Sequence, residues 1–296
     1  MDFDENADLD TSSVDDLRGS GGGGGGGGFP GIRVGGGIAG LILTIVIGLL
    51  AGTHNLPGIS GGSSTPDNTA IAQKCAKTNK DRFHDADCRQ VATFDDLSGF
   101  WRTTAPERLH AQYAQPRFAI FTQSVNTGCG AATSDVGPFY CPPDQRIYID
   151  LAFYDELASR FGAPGEFAQA YVIAHEFGHH IQTLTGTEPQ VRRLQERNPS
   201  QRNALSVKLE LQADCYAGVW AKGAAAPGGL VGTISQKEID EALTAAAAVG
   251  DDRIQQQSGG QVNPETWTHG SAAQRKQWFS TGFSSGDPNS CNTFGS

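Results

Sequence analysis

His175-Glu176-Phe177-Gly178-His179 follows a largely apolar run, Ala168 to Ala174 (AQAYVIA), and this pairing of pattern and setting constrains the chain more than any other feature. On a helix, positions i and i+4 share one face a turn apart. Two imidazoles so placed can reach one tetrahedral Zn²⁺, with Glu176 beside a water on that metal. Buried His and Glu without partners are costly, so the apolar surroundings favour a ligand role over a solvated helix face. Pro164 before the segment and Gly186 after it match the usual helix start and stop signals.

A zinc site that keeps an open catalytic position needs a third protein ligand from a different element. Further on, Glu210 and Asp214 stand at i and i+4 in a segment whose Leu205, Leu209, Ala213, Tyr216 and Trp220 form an apolar stripe. Glu210 is the expected ligand, and Asp214 the expected acceptor for the far N–H of a ligand histidine. The alternative is a solvated acid pair. This arrangement resembles the glutamate-type zincins, which pair H-E-x-x-H with a later E-x-x-x-D helix. The residues after His179 (HIQTLTGTE) contain no H-x-x-G-x-x-H continuation, which excludes a metzincin-type third histidine.

Hydrolysis also calls for a donor to the oxyanion of a tetrahedral intermediate, and His269, ahead of a capped helix, is the candidate, with a plain loop histidine as the alternative. His180 lies off the ligand face and is assigned to the surface or to supporting hydrogen bonds. His54, His84 and His110 receive no site role. Two G-x-S-x-G matches, at Gly58 to Gly62 and Gly282 to Gly286, lack the strand-turn-helix setting of a nucleophile elbow.

Acids outnumber Lys and Arg 32 to 22 in 296 residues without a basic cluster, so nucleic acid is excluded as a partner. Residues 1–34 read as a disordered tail, acidic and rich in glycine. Residues 35–53 begin with an uncharged run, GGGIAGLILTIVIGLLAG, about 27 Å long as a helix. A single transmembrane helix through the lipid bilayer is expected there, in preference to a cleaved signal peptide with its basic front. Arg18 and Arg33 precede the run and no base follows before Lys74, so the expected topology has a cytoplasmic N-terminus and an extracytoplasmic domain at the cell membrane. Residues 54–70 read as a Gly/Ser/Pro stalk and 71–296 as the folded domain.

All six cysteines follow the apolar run, as disulfides in an oxidising compartment require. Loop closure favours Cys75 with Cys88, Cys129 with Cys141, and Cys215 with Cys291. Phe118 to Val125 and Ile147 to Leu151 are strand-like, and either could hold an extended substrate at a sheet edge. Helices are expected at about 164–185, 202–222, 236–249 and 271–282. The last two carry capping-box spacing at Ser235/Glu238 and Ser271/Gln274.

The stretches CGAATSDVGPFYCPPDQRIYIDLAFYDEL, FGAPGEFAQAYVIAHEFGHHIQ, LSVKLELQADCYAGVW, EALTAAAAVGDDRIQ and THGSAAQRKQWFSTGF are similar to a bacterial family of neutral zinc metallopeptidases, from about Phe94 to Phe294. Val14 to Gly19, the glycine tract and the apolar run resemble its front end. The resemblance implies one Zn²⁺, with His175, His179 and Glu210 as ligands and Glu176 as general base. The expected fold is α+β, a helix-rich zincin-like (gluzincin-type) domain with a small sheet behind one transmembrane helix. The expected function is a membrane-anchored zinc metallopeptidase, a hydrolase acting as an endopeptidase on protein or peptide substrates. The alternative is a catalytically silent, zinc-stabilised binding or assembly module of the cell envelope.

Overall fold

A computed structural model describes residues 1–18, 66, 68–224, 230–232, 234–257, 259 and 261–295. In chain order, strand β1 is Val14–Asp16, and helices α1 and α2 are Thr69–Lys74 and Ala86–Leu109. Five strands follow: β2 Arg117–Phe121, β3 Ser124–Thr127, β4 Gly130–Thr133, β5 Phe139–Cys141 and β6 Arg146–Asp150. The rest is helical, with α3 Phe153–Ser159, α4 Glu166–Leu184, α5 Thr187–Arg197, α6 Arg202–Ala224, α7 Gln236–Ala248, α8 Asp251–Gln257 and α9 Ala272–Ser285.

The main sheet has the order β1-β2-β6-β5. Strands β1, β2 and β6 are parallel, and β5 runs antiparallel to β6 at one edge. The interior strands RFAIF and RIYID bury nearly every side chain, as strands covered on both faces do. Phe94 of α2 stacks on Phe118 of β2 at 5.2 Å, joining helix layer to sheet. The expected strand from Phe118 to Val125 is broken at Gln123, whose φ is 64° and whose N–H donates to Asp150 at 2.9 Å. The chain turns there into the separate β3–β4 hairpin.

Helix-rich α+β architecture is compatible with this fold, but the transmembrane helix of the expected fold class is not. Among the described residues no helix is long and apolar enough to cross a membrane, and the expected span 35–53 lies outside them, as does most of the 54–70 stalk. Residues 1–18 supply the physical reason for the correction, because they are part of the same folded body as the C-terminal helices. Val14 of β1 is fully buried, and Asp15 sits between Arg117 and Arg146, 3.1 Å from the latter. The buried Arg82 guanidinium donates to the carbonyls of Glu5 and Ala7 at 3.1 and 2.7 Å. Beyond the apolar run, Asn68 donates to the Val14 carbonyl and accepts from the Asp16 N–H at 2.9 Å. The chain thus leaves at Arg18 and returns at Asn68 on one face. One crossing would put those points on opposite sides of a bilayer, so the single-pass arrangement with a cytoplasmic N-terminus and an extracytoplasmic domain is overturned.

The helical half is held by close approach. A Cβ on Gly218 of α6 would meet the Phe279 carbonyl at 2.1 Å, and one on Gly282 of α9 would meet the Cys215 carbonyl at 1.9 Å. Only glycines let these two helices touch backbone to backbone. Cys215 is bridged to Cys291, Cys75 to Cys88, and Cys129 to Cys141. Both capping boxes are present, at the starts of α7 and α9.

Candidate metal centre

Helix α4 is buried along most of its length, so its polar side chains exist inside the protein only with partners. Its spacing presents His175 and His179 on one face, with ring centroids 4.8 Å apart. Helix α6 lies close against it at Gly178, where a Cβ would stand 3.0 Å from the Ala213 Cα and carbonyl oxygen. That approach brings Glu210 to the pair: its carboxylate oxygens are 3.1 Å from His175 Nε2 and 3.5 Å from His179 Nε2. One donor atom from each of the three residues falls within 4.8 Å of the other two. Ligands at about 2.1 Å in a tetrahedron stand about 3.4 Å apart, so this nitrogen and oxygen set fits Zn²⁺.

Each histidine is oriented from behind. His175 Nδ1 bonds Asp214 at 2.9 Å, and His179 Nδ1 donates to Gln182 Oε1 at 2.9 Å. Both contacts leave Nε2 toward the centre. Gln182 is fixed in turn by donating to the Leu209 carbonyl at 2.7 Å and to Gln212 at 3.2 Å. Asp214 is completely buried. It accepts from Arg275 Nε and Nη2 at 2.8 and 2.9 Å and from the Tyr171 hydroxyl. Burial pushes the Asp214 carboxyl up, but Arg275 and His175 outweigh it and hold it below the usual carboxylate range. Burial likewise opposes the charged form of Glu210, and the surrounding His179, His269 and His175 lower it instead. Against its own burial, His175 is pushed up to about 10 by Asp214 and Glu210.

Glu176, 9% exposed, faces the same cleft. Burial raises its carboxyl above the ordinary value despite His175, His179 and a hydrogen bond from the Tyr140 backbone. His269 also lines the cleft. Its loop is wrapped around Asp251, which accepts from the N–H groups of Thr268, His269 and Gly270 at 2.8, 2.6 and 2.9 Å. The expected site residues His175, Glu176, His179, Glu210 and His269 therefore meet in one cleft, with Asp214 directly behind His175.

Sequence reasoning missed Arg275, Gln182, Tyr171 and Asp251. Tyr171 and Gln182 could have been found, since they lie one turn before His175 and one turn after His179 on the same helix; Arg275 and Asp251 act across longer separations. His180 is wholly buried rather than superficial, between the Tyr140 hydroxyl at 3.0 Å and the Ala114 carbonyl at 2.8 Å, and burial pulls it down to about 4. The edge strand beside the site is β5, whose Phe139 and Tyr140 line the cleft. The strands expected to hold substrate, 118–125 and 147–151, contribute β2 and β6, which are paired on both sides and have no free edge.

The model of the family described as "Putative neutral zinc metallopeptidase" matches residues 3–294. The "Uncharacterized protein YpfJ" of Escherichia coli K12 is 45% identical over 289 residues, 97% of this chain and 96% of its own length. The "Uncharacterized protein Rv2575" of Mycobacterium tuberculosis H37Rv is 47% identical over 225 residues, 74% of each chain. No solved structure matches the chain.

Proposed function

The chain belongs to the neutral zinc metallopeptidase family, and we propose that it hydrolyses peptide bonds with His175, His179 and Glu210 as zinc ligands and Glu176 as general base. The observation that carries this reading is the convergence of those three donors with the buried Glu176 carboxylate in one cleft. Zinc, when bound there, supplies Lewis-acid polarisation of a carbonyl and acidifies water. Glu176, whose carboxyl burial raises above its ordinary value, takes the proton of the attacking water and delivers it to the leaving amine. His269, steadied by Asp251, faces the cleft as donor to the developing oxyanion. Asp214, Arg275 and Tyr171 keep the His175 ring in orientation. The outer edge of β5, where the Tyr140 backbone already bonds Glu176, borders the cleft and lies where an extended substrate would run. Three disulfides, with no free cysteine among the described residues, support an oxidising setting.

The test compares the full chain, zinc-loaded, with Glu176→Gln on a peptide library, measuring zinc content alongside. Residues 1–18 belong to the fold, so a fragment beginning near residue 70 is the wrong protein to assay. Cleavage by the wild type, abolished by chelation and by Glu176→Gln at unchanged zinc content, is expected. Equal turnover by the two proteins would refute the peptidase reading; a silent zinc-stabilised binding module tolerates the substitution.

A further inference from the structure

The cleft, about 230 Å³, is lined by both apolar and charged side chains. Its apolar lining includes Val136 and Pro138, from the segment before β5, together with Phe153 and Phe161. The two walls meet, since a Cβ on Gly137 would lie 3.6 Å from Phe153 Cε2. These aromatic rings are partly buried and continuous with the main core, so an apolar side chain entering here finishes a surface already built. Asp135, next to Val136 in the chain, and Glu156, one helical turn after Phe153, also line the cleft, both exposed, and among the described residues neither carboxylate is in an ion pair. Arg192, also in the lining, is electrically spent, because it already donates to Glu188 through Nε at 2.9 Å.

From this lining we propose that the cleft selects peptides with an aromatic or long aliphatic residue beside the scissile bond and a Lys or Arg next to that residue, and discriminates against acidic neighbours. The inference rests on the peptidase reading of the same site. The apolar wall sets which residue enters, Asp135 and Glu156 set the sign of its neighbour, and the chain's net charge of −10 adds attraction in the same sense.

The experiment uses the full zinc-loaded chain on a randomised peptide mixture, with products identified by mass spectrometry. The best peptide and its Lys→Glu counterpart are then compared for cleavage by the wild type and, by fluorescence anisotropy, for binding to Glu176→Gln. The Lys form should be cleaved and bound about fivefold better at low salt, with the ratio shrinking as salt rises. Asp135→Asn with Glu156→Gln should bring the ratio within about twofold, whereas Glu107→Gln with Asp155→Asn, exposed acids outside the cleft, should leave it as it was. Phe153→Ala should reduce the preference for an apolar over a serine residue by about tenfold. A wild-type ratio near one, an equal response to both double variants, or cleavage sites without apolar enrichment would overturn the inference. Preferential binding without cleavage of any peptide would overturn the peptidase reading and leave the recognition standing; neither binding nor cleavage would overturn both.

Discussion

Arg275 is the side chain on which the centre's rigidity is concentrated, and replacing it with Leu gives a prediction with a magnitude. The guanidinium is 3% exposed and supplies two of the hydrogen bonds that Asp214, 0% exposed, receives. It also donates to the Val249 carbonyl at 3.2 Å and the Tyr171 hydroxyl at 3.1 Å. Arg275→Leu leaves a buried carboxylate facing only His175 and Tyr171. Removing one partner of a buried pair costs about 3–5 kcal/mol. At about 2–4 °C per kcal/mol for a domain of this size, calorimetry of the oxidised full chain should show Tm falling by roughly 6–20 °C. Loss of the group behind a ligand's orienting carboxylate should also weaken zinc binding by about 10–100-fold in chelator competition. Arg275→Lys keeps the charge without the two-pronged fork and should fall between. Combined with Asp214→Asn, Arg275→Leu should cost at least about 1 kcal/mol less than the sum of the single changes. A Tm loss under about 2 °C, or strict additivity, would refute the claim that this pair is isolated from solvent and mutually dependent.

Gly178→Ala puts a methyl 3.0 Å from the Ala213 backbone, so α4 and α6 must separate where the ligands meet; zinc affinity should drop about tenfold, read by the same competition, with little change in helix content. Replacing Cys215 and Cys291 together opens a span of 76 residues against 13 for Cys75 and Cys88, so denaturant titration should show a loss of about 4.5 kcal/mol against about 3 kcal/mol. Burial pushes the Asp87 carboxyl up, but Arg18 and Lys74 outweigh it and hold it below the ordinary value. A carboxyl so lowered stabilises the fold fully above its unfolded pKa of about 4 and loses that contribution as pH falls through the folded value. Arg18 is partly exposed, so Arg18→Gln should cost only about 1 kcal/mol at pH 7 and progressively less as pH falls below about 4; a cost that does not fall with pH would refute the linkage.

How much of this was legible beforehand depends on how far apart the cooperating residues lie in the chain. The i, i+4 rule places His175 with His179 and Glu210 with Asp214, because helical spacing is local and repeats without regard to the rest of the fold. Capping boxes at Ser235 and Ser271 were readable for the same reason. What brings the two helices together is a missing Cβ at Gly178, and no local pattern marks that glycine as a contact rather than a flaw. Arg275 stands 61 residues from Asp214, in a helix whose pattern gives no hint that one guanidinium turns inward.

The front of the chain shows the opposite failure, where local reasoning was sound at each step and the sum was wrong. Hydropathy and base counting treat the apolar run as dividing the chain, and acidic residues before it read as a solvated tail. Yet Asp15 is not solvated. Its charge is met by Arg117, 102 residues later, and by Arg146, and the strand it belongs to is only three residues long, too short to register as a strand by alternation. A parallel strand needs a crossover from its partner, and here that connection contains the glycine tract and the apolar run themselves. Asp16 before that run and Asn68 after it are hydrogen-bonded to each other, so the described residues on its two sides belong to one folded body. That geometry replaces the picture of a tail and a domain held apart by a membrane.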